Sequence, residues 1–115
     1  MLSKIIIVVL AILAVAVLYL KFTSVRVSGS DARQLVENGA MLVDVRSEGE
    51  YEDGGIEGSI NIPIQELAGR MDELGDKNAT IVVYCQSGGR SAMAKRLLES
   101  NDFTDVHDLG SIRQW

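Results

Sequence analysis

The chain has one cysteine and one histidine in 115 residues. A single cysteine excludes an internal disulfide. One cysteine with one histidine does not make a zinc site, and neither a metal nor an organic cofactor is expected. Basic residues are few, 11 Lys and Arg against 16 Asp and Glu, for a net charge of −5. No acidic residue occurs before Asp31, so the part beyond Lys21 holds nine basic and sixteen acidic groups, a net −7. Such a domain cannot neutralise a phosphate backbone, and no nucleic-acid partner is expected. There is no internal repeat and no low-complexity segment, and the length leaves room for one small domain.

The apolar content, 47% of the chain, is concentrated at the N-terminus. Ile5 to Leu20 is uninterrupted apolar sequence, extended at its edges by Met1, Leu2 and Phe22. That approaches the ~20 residues that span a bilayer as a helix. A soluble helix this apolar on every side has no place in so small a domain. A cleaved signal peptide is the competing reading, with Lys4 as its charged region and Ala14-Val15-Ala16 as its cleavage site. Apolar Val17-Leu18-Tyr19-Leu20 directly after that tripeptide argues against cleavage. Residues 1–23 are therefore expected to be an uncleaved membrane anchor, contacting the bilayer through residues 2–22, with Tyr19, Lys21 and Phe22 at one interface. Charge barely orients it, since the N-terminal amine and Lys4 oppose Lys21 and Arg26. A short tail with Lys4 that stays inside places the domain outside the cytoplasm, on the periplasmic side.

Residues 24–115 read as alternating short strands and helices. Thr23 to Gly29 is a connector with a small strand at Val25 to Val27. Ser30 is the expected N-cap of a helix with Asp31 in its first turn and Ala32, Leu35 and Val36 on one face, closed by Asn38-Gly39. Ala40 to Val45 is a buried strand that delivers Asp44 and Arg46 at its tip. Ser47 opens an acidic helical turn through Tyr51, broken at Gly54-Gly55. Ile56 to Ile64 suggests a brief strand and a bend at Pro63. Gln65 to Leu74 is amphipathic, with Leu67, Met71 and Leu74 aligned, and Gly75 to Asn78 is a turn. Val106 marks a last short strand. This alternation predicts an α/β fold, a parallel sheet with helices on both faces. Ligands of such sheets sit beyond the carboxyl ends of the strands, where both Arg46 and Cys85 fall.

The chain is organised around Val82-Val83-Tyr84-Cys85-Gln86-Ser87-Gly88-Gly89-Arg90-Ser91. A β-branched run from Ile81 to Val83 ends at the cysteine, a glycine-rich turn follows, and a helix continues to about Asn101. This geometry aims backbone N–H groups and a helix N-terminus at one sulfur, which favours the thiolate. A lone cysteine is more often a buried apolar residue. Its place at a strand tip before Gly-Gly-Arg favours a reactive thiol.

In ordered pieces the chain resembles the rhodanese family in its single-domain form. Those pieces are Leu42-Val43-Asp44-Val45-Arg46, Glu50-Tyr51, Gly55-Ile56-Glu57-Gly58-Ser59-Ile60-Asn61-Ile62-Pro63, Val82-Val83-Tyr84-Cys85, and the closing Gly110 with Trp115. The resemblance runs from about Ser28 to Trp115. It implies a rhodanese-like α/β fold and a sulfurtransferase that carries sulfane sulfur on Cys85 as a persulfide, from a donor such as thiosulfate to a thiol or cyanide-like acceptor. Two positions depart from the family: Gly55 stands where His is usual, and Gly110 where a glycine pair is usual. Cys85 to Arg90 is Cys-x4-Arg, the length of family sulfurtransferases. Related phosphatases and arsenate reductases use Cys-x5-Arg, and here Ser91 stands at that place.

The roles implied make Cys85 the nucleophile. The substrate-binding group comprises Gln86, Ser87, Gly88, Gly89 and Arg90, through their N–H groups, with Arg46. Arg90 either binds the donor's sulfonate or holds the loop closed, against the plainer reading of a surface arginine in the first turn of the helix. Arg46 either lines the pocket or, the favoured reading, pairs with Asp44 or Glu50 as scaffold. Ser87 and Ser91 donate hydrogen bonds or cap the helix. His107 is expected to be structural or exposed, Glu48, Glu50, Glu52, Asp53 and Glu57 a solvated face, and Trp115 a packing residue. A tethered sulfur carrier or binding module with little turnover is the alternative function.

Overall fold

The computed structural model describes residues 1–22 and 25–115, with the side chains of residues 20–22 undescribed. The expectations for Lys21 and Phe22 at a membrane interface, and for Thr23 and Ser24 in the connector, lie outside the described residues. The elements in order are α1 (Leu2–Phe22), α2 (Gly29–Glu37), β1 (Met41–Asp44), α3 (Glu48–Gly54), β2 (Ile60–Asn61), α4 (Ile64–Leu67), β3 (Ile81–Cys85), α5 (Gly89–Ser100) and β4 (Val106–Ser111). The four strands form one parallel sheet in the order β2-β1-β3-β4.

Alternation along the strands divides the core in two. Val43, Val45, Ile81, Val83 and Cys85 face one side, with Leu67, Ala94, Leu98 and Phe103 packed on them. Leu42, Val82 and Tyr84 face the other, against Ala32, Leu35, Val36 and Trp115. Helices therefore cover both faces, as the patterning predicts, and Trp115 is a packing residue. β3 is buried along its whole length, and Cys85 at its end lies on the first of these faces.

Local chemistry set several boundaries differently from expectation. α2 begins earlier: Ser28, not Ser30, is its N-cap and accepts from Asp31 N–H at 3.1 Å. Gly29 at the first helical position hid this start, since glycine is a poor helix former. It is there because a side chain would collide with the backbone of Gln114. Gln65 to Leu74 is not one helix. It divides into the single turn α4 and a 3-10 turn at Met71–Leu74, on either side of Gly69. The apolar spacing still held for burial: Leu67 and Leu74 are buried and Met71 half-buried. At Val25 to Val27 there is only an isolated parallel bridge between Arg26 and Asp108.

The last strand is longer than the apolar signal at Val106 suggested, because it contains a buried acid and a glycine. Its register with β3 slips between Val83 and Tyr84, passing from Asp108 directly to Gly110. Asp108 Oδ1 accepts from Gly110 N–H at 2.8 Å, and Gly110 takes φ +81°, a conformation that favours glycine. The chain then closes in a 3-10 turn, Ile112–Gln114, capped by Ser111.

α1 is fully exposed over Leu2–Tyr19, an 18-residue stretch of mean hydropathy 2.7. By length and composition it can cross a membrane; a signal sequence meets the same description.

Candidate active site

Helix α5 starts without a side-chain cap. Its N-cap is Gly88, in the left-handed region at φ +107°. The four leading N–H groups of any helix lack intrahelical partners. Here the Cys85 sulfur fills that role, receiving Gly88 N–H at 2.9 Å. Ser91 Oγ lies 3.4 Å from the sulfur, and in the thiol form it accepts the S–H while donating to Gly88 O at 3.1 Å. Cys85 and Ser91 are both 0% exposed. Burial alone pushes the thiol pKa up. The Ser91 hydroxyl and the N–H groups of Ser91, Gly88 and Ser87 pull it down further, so the group lies below the ordinary thiol range. Of the loop N–H groups expected at the sulfur, from Gln86 to Arg90, Gly88's makes a well-formed bond and Ser87's assists; the Ser91 N–H, outside that set, assists as well. The pH dependence of Cys85 alkylation by iodoacetamide is therefore expected to show a midpoint below the ~8.5 of a free thiol. Ser91→Ala should move it upward. A midpoint at the free-thiol value in the unaltered chain would overturn the assignment.

Both candidate arginines reach the site already paired. Arg46, 4% exposed, donates from Nε to both oxygens of buried Asp44 at 3.0 Å and from Nη2 to Oδ2 at 2.8 Å. Its remaining nitrogen, Nη1, donates to Gln86 Oε1 at 2.9 Å. The hydrogen bond to Asp44 raises the Arg46 pKa despite burial. Arg46 thus holds the first loop residue, and with Glu50, Asp53, Gly54, Gln86 and Ile112 it lines an open depression of about 340 Å³. Arg90 closes a two-pronged pair on Glu50, Nη1 to Oε1 at 2.6 Å and Nη2 to Oε2 at 3.0 Å. Glu50 consequently leaves the solvated face expected for it, while Glu48, Glu52, Asp53 and Glu57 are exposed. Arg90 and the Ser47 N–H hold its carboxyl down at about 2.

Two contributors escaped the sequence reading. Glu50 as the partner of Arg90 is one, since the sequence offers it only as a partner of Arg46 or as part of a solvated face; the spacing Ser47-x-x-Glu50 marks its place, with both halves of a capping box formed at the start of α3. Ser111 is the other, its hydroxyl donating to Gln86 O at 2.7 Å and tying β4 to the cysteine loop. No pattern in the sequence pointed to it. His107 pairs with Asp105 at 2.6 Å on β4, as a structural residue. Gly55 has its own reason, since a Cβ there would overlap the Tyr51 ring, whose hydroxyl donates to Ser59 O at 2.6 Å. On the opposite face of the sheet Tyr84 Oη accepts from Ile56 N–H at 3.0 Å and lies 2.9 Å from Ser59 Oγ, and burial pushes its pKa up to about 12.

A buried sulfur on a helix N-terminus, held at the tip of a central parallel strand, makes a thiol site that favours the thiolate more than a free cysteine does. The chain belongs to the rhodanese family: the model of the rhodanese-like domain matches residues 28–115. It is 36% identical over 72 residues to the thiosulfate sulfurtransferase PspE of Escherichia coli, covering 62% of this chain and 69% of that protein. It is 35% identical over 91 residues to the thiosulfate sulfurtransferase GlpE of Pseudomonas aeruginosa, covering 78% and 82%. Among solved structures, the human single-domain sulfurtransferase TSTD1 superposes with a TM-score of 0.69 at 30% identity, over 81% of this chain and 96% of that one.

Proposed function

We propose that this chain is a membrane-anchored sulfurtransferase that moves sulfane sulfur through a Cys85 persulfide. The observation that carries the reading is the Cys85 sulfur seated on Gly88 N–H at 2.9 Å beside Ser91. The thiolate attacks the outer sulfur of thiosulfate. A new S–S bond forms, the original S–S bond breaks, and sulfite leaves with its electron pair. The persulfide anion stays within reach of the donors that held the thiolate. An acceptor, a thiolate or cyanide, then attacks the outer sulfur, and the Cys85 thiolate is released. No net oxidation of the protein occurs. Residues 24–115 carry this chemistry and residues 1–23 the anchor, with the domain on the periplasmic side.

Phosphoryl and arsenate chemistry fit less well, because Cys85 to Arg90 spans six residues and Arg90 is closed on Glu50. The second reading, a tethered sulfur carrier with little turnover, is favoured by one observation: the sulfur is fully buried. Carbonate-washed membranes containing the intact chain are expected to retain it and to form thiocyanate from thiosulfate and cyanide over many turnovers. A single turnover would favour the carrier. Release of the chain by the wash would defeat the anchor, and absence of any thiocyanate would defeat the enzyme.

A further inference from the structure

Arg26 lies across the cysteine loop. Its backbone bridges Asp108, and the neighbouring Val27 N–H donates to Asp108 O at 2.9 Å. From this anchor the side chain runs over two glycines. A Cβ at Gly110 would stand 2.9 Å from Arg26 Cδ and Nε, and one at Gly88 would stand 2.8 Å from Cζ, with Nη2 nearer still. The two glycines thus form the track in which the arginine lies. Its guanidinium rests against the residue whose N–H meets the Cys85 sulfur.

The other two arginines of the site are occupied. Arg46 is closed on Asp44 and Gln86, and Arg90 on Glu50. At either one a donor anion meets a guanidinium whose charge is already offset by a paired carboxylate. Arg26 is exposed, and among the described residues its guanidinium has no hydrogen-bond acceptor. It presents a planar set of donors suited to sulfonate or carboxylate. The chain as a whole carries −5, so an anionic donor is repelled unless a local cation offsets that field.

We propose that Arg26, from the connector rather than from the loop, is the cation that takes the anionic end of the sulfur donor. With thiosulfate that end is the sulfonate, and Cys85 attacks the outer sulfur. The identity of the donor rests on the sulfurtransferase reading; the anion site does not. Anionic donors are thereby preferred over neutral ones of similar reactivity.

Cys85 is the only thiol, so alkylation of the intact chain in a neutral detergent reports on this site alone. Anionic iodoacetate and neutral iodoacetamide are compared on the unaltered chain, Arg26→Gln and Arg26→Lys. Arg26→Gln should lower the iodoacetate-to-iodoacetamide rate ratio about fivefold, the scale of one partly screened charge. Arg26→Lys should hold the ratio within about twofold, because it keeps the charge but not the fork. The KM for thiosulfate should rise in Arg26→Gln with kcat held. An unchanged ratio, or a parallel change with both reagents, would overturn the proposal and leave Arg26 a packing strut. If the unaltered chain transfers no sulfur while the ratio still falls, the sulfurtransferase reading fails and the anion site stands. Should Arg26→Gln not fold, the unaltered chain decides: rising potassium chloride must slow iodoacetate and not iodoacetamide, and a flat response overturns the proposal.

Discussion

Cys85→Ser is expected to abolish sulfur transfer, with thiocyanate formation falling by about 10³-fold or more, as when an essential nucleophile is lost. An alcohol does not ionise near neutrality, and it forms no persulfide. The fold should survive, because the smaller hydroxyl inherits two partners, Gly88 N–H and Ser91 Oγ. Its stability cost should stay within about 1–2 kcal/mol, the range for a buried polar group that keeps a hydrogen bond. Two measurements check this together. Intact mass after thiosulfate treatment should show one added sulfur atom on the unaltered chain and none on the variant. Thiocyanate formation should then follow the mass. Transfer that persists in Cys85→Ser would end the persulfide mechanism, since the chain has no second cysteine to carry the sulfur.

The sequence made the site legible where covalent order and spatial order coincide. Cys85, the glycine-rich turn and α5 are contiguous, so strand, loop and helix could be read as one unit with the sulfur at its centre. Asp44 and Arg46 were legible for the same reason, being two residues apart on one strand tip. The parallel sheet followed from β-branched runs separated by helical spacing. What escaped depended on residues far apart in the chain. Glu50 and Arg90 are 40 residues apart and Ser111 and Gln86 are 25 apart, and no local period encodes such pairs. Arg26 was visible only as a charge near the apolar helix, since its place against Gly88 and Gly110 is created by tertiary packing. The amphipathic stretch Gln65–Leu74 departed in another way. Its apolar spacing encoded burial, which Leu67, Met71 and Leu74 do satisfy, while Gly69 decided that the backbone between them is not helical.

Asp44→Ala should be the most destabilising single change in the site, costing about 3–5 kcal/mol, the loss typical when one partner of a buried ion pair is removed. Asp44 is 0% exposed and accepts from the Arg46 backbone N–H at 2.8 Å as well as from its side chain. Without the carboxylate, Arg46 keeps its charge at 4% exposure, with Gln86 Oε1 and a long 3.5 Å contact to Gly54 O as its side-chain acceptors. A domain of ordinary stability holds about 5–15 kcal/mol in total, so this one change removes a large share. Asp44→Asn should cost less, because an amide oxygen can still accept from Arg46 N–H. The double change Asp44→Leu with Arg46→Met should recover much of the loss, since it removes both charges instead of stranding one. Urea unfolding of the intact chain in detergent, followed by the fluorescence of Trp115, measures all three. Trp115 packs beside Tyr84 in the core face opposite the cysteine, so its signal reports the fold and not the loop. Arg46 also holds Gln86, and a folded Asp44→Ala chain should therefore show an altered pH midpoint for Cys85 alkylation. A cost below about 1 kcal/mol, the level of an exposed pair, would mean that Arg46 finds solvent or another acceptor, and that the pair is not what fixes the start of the cysteine loop.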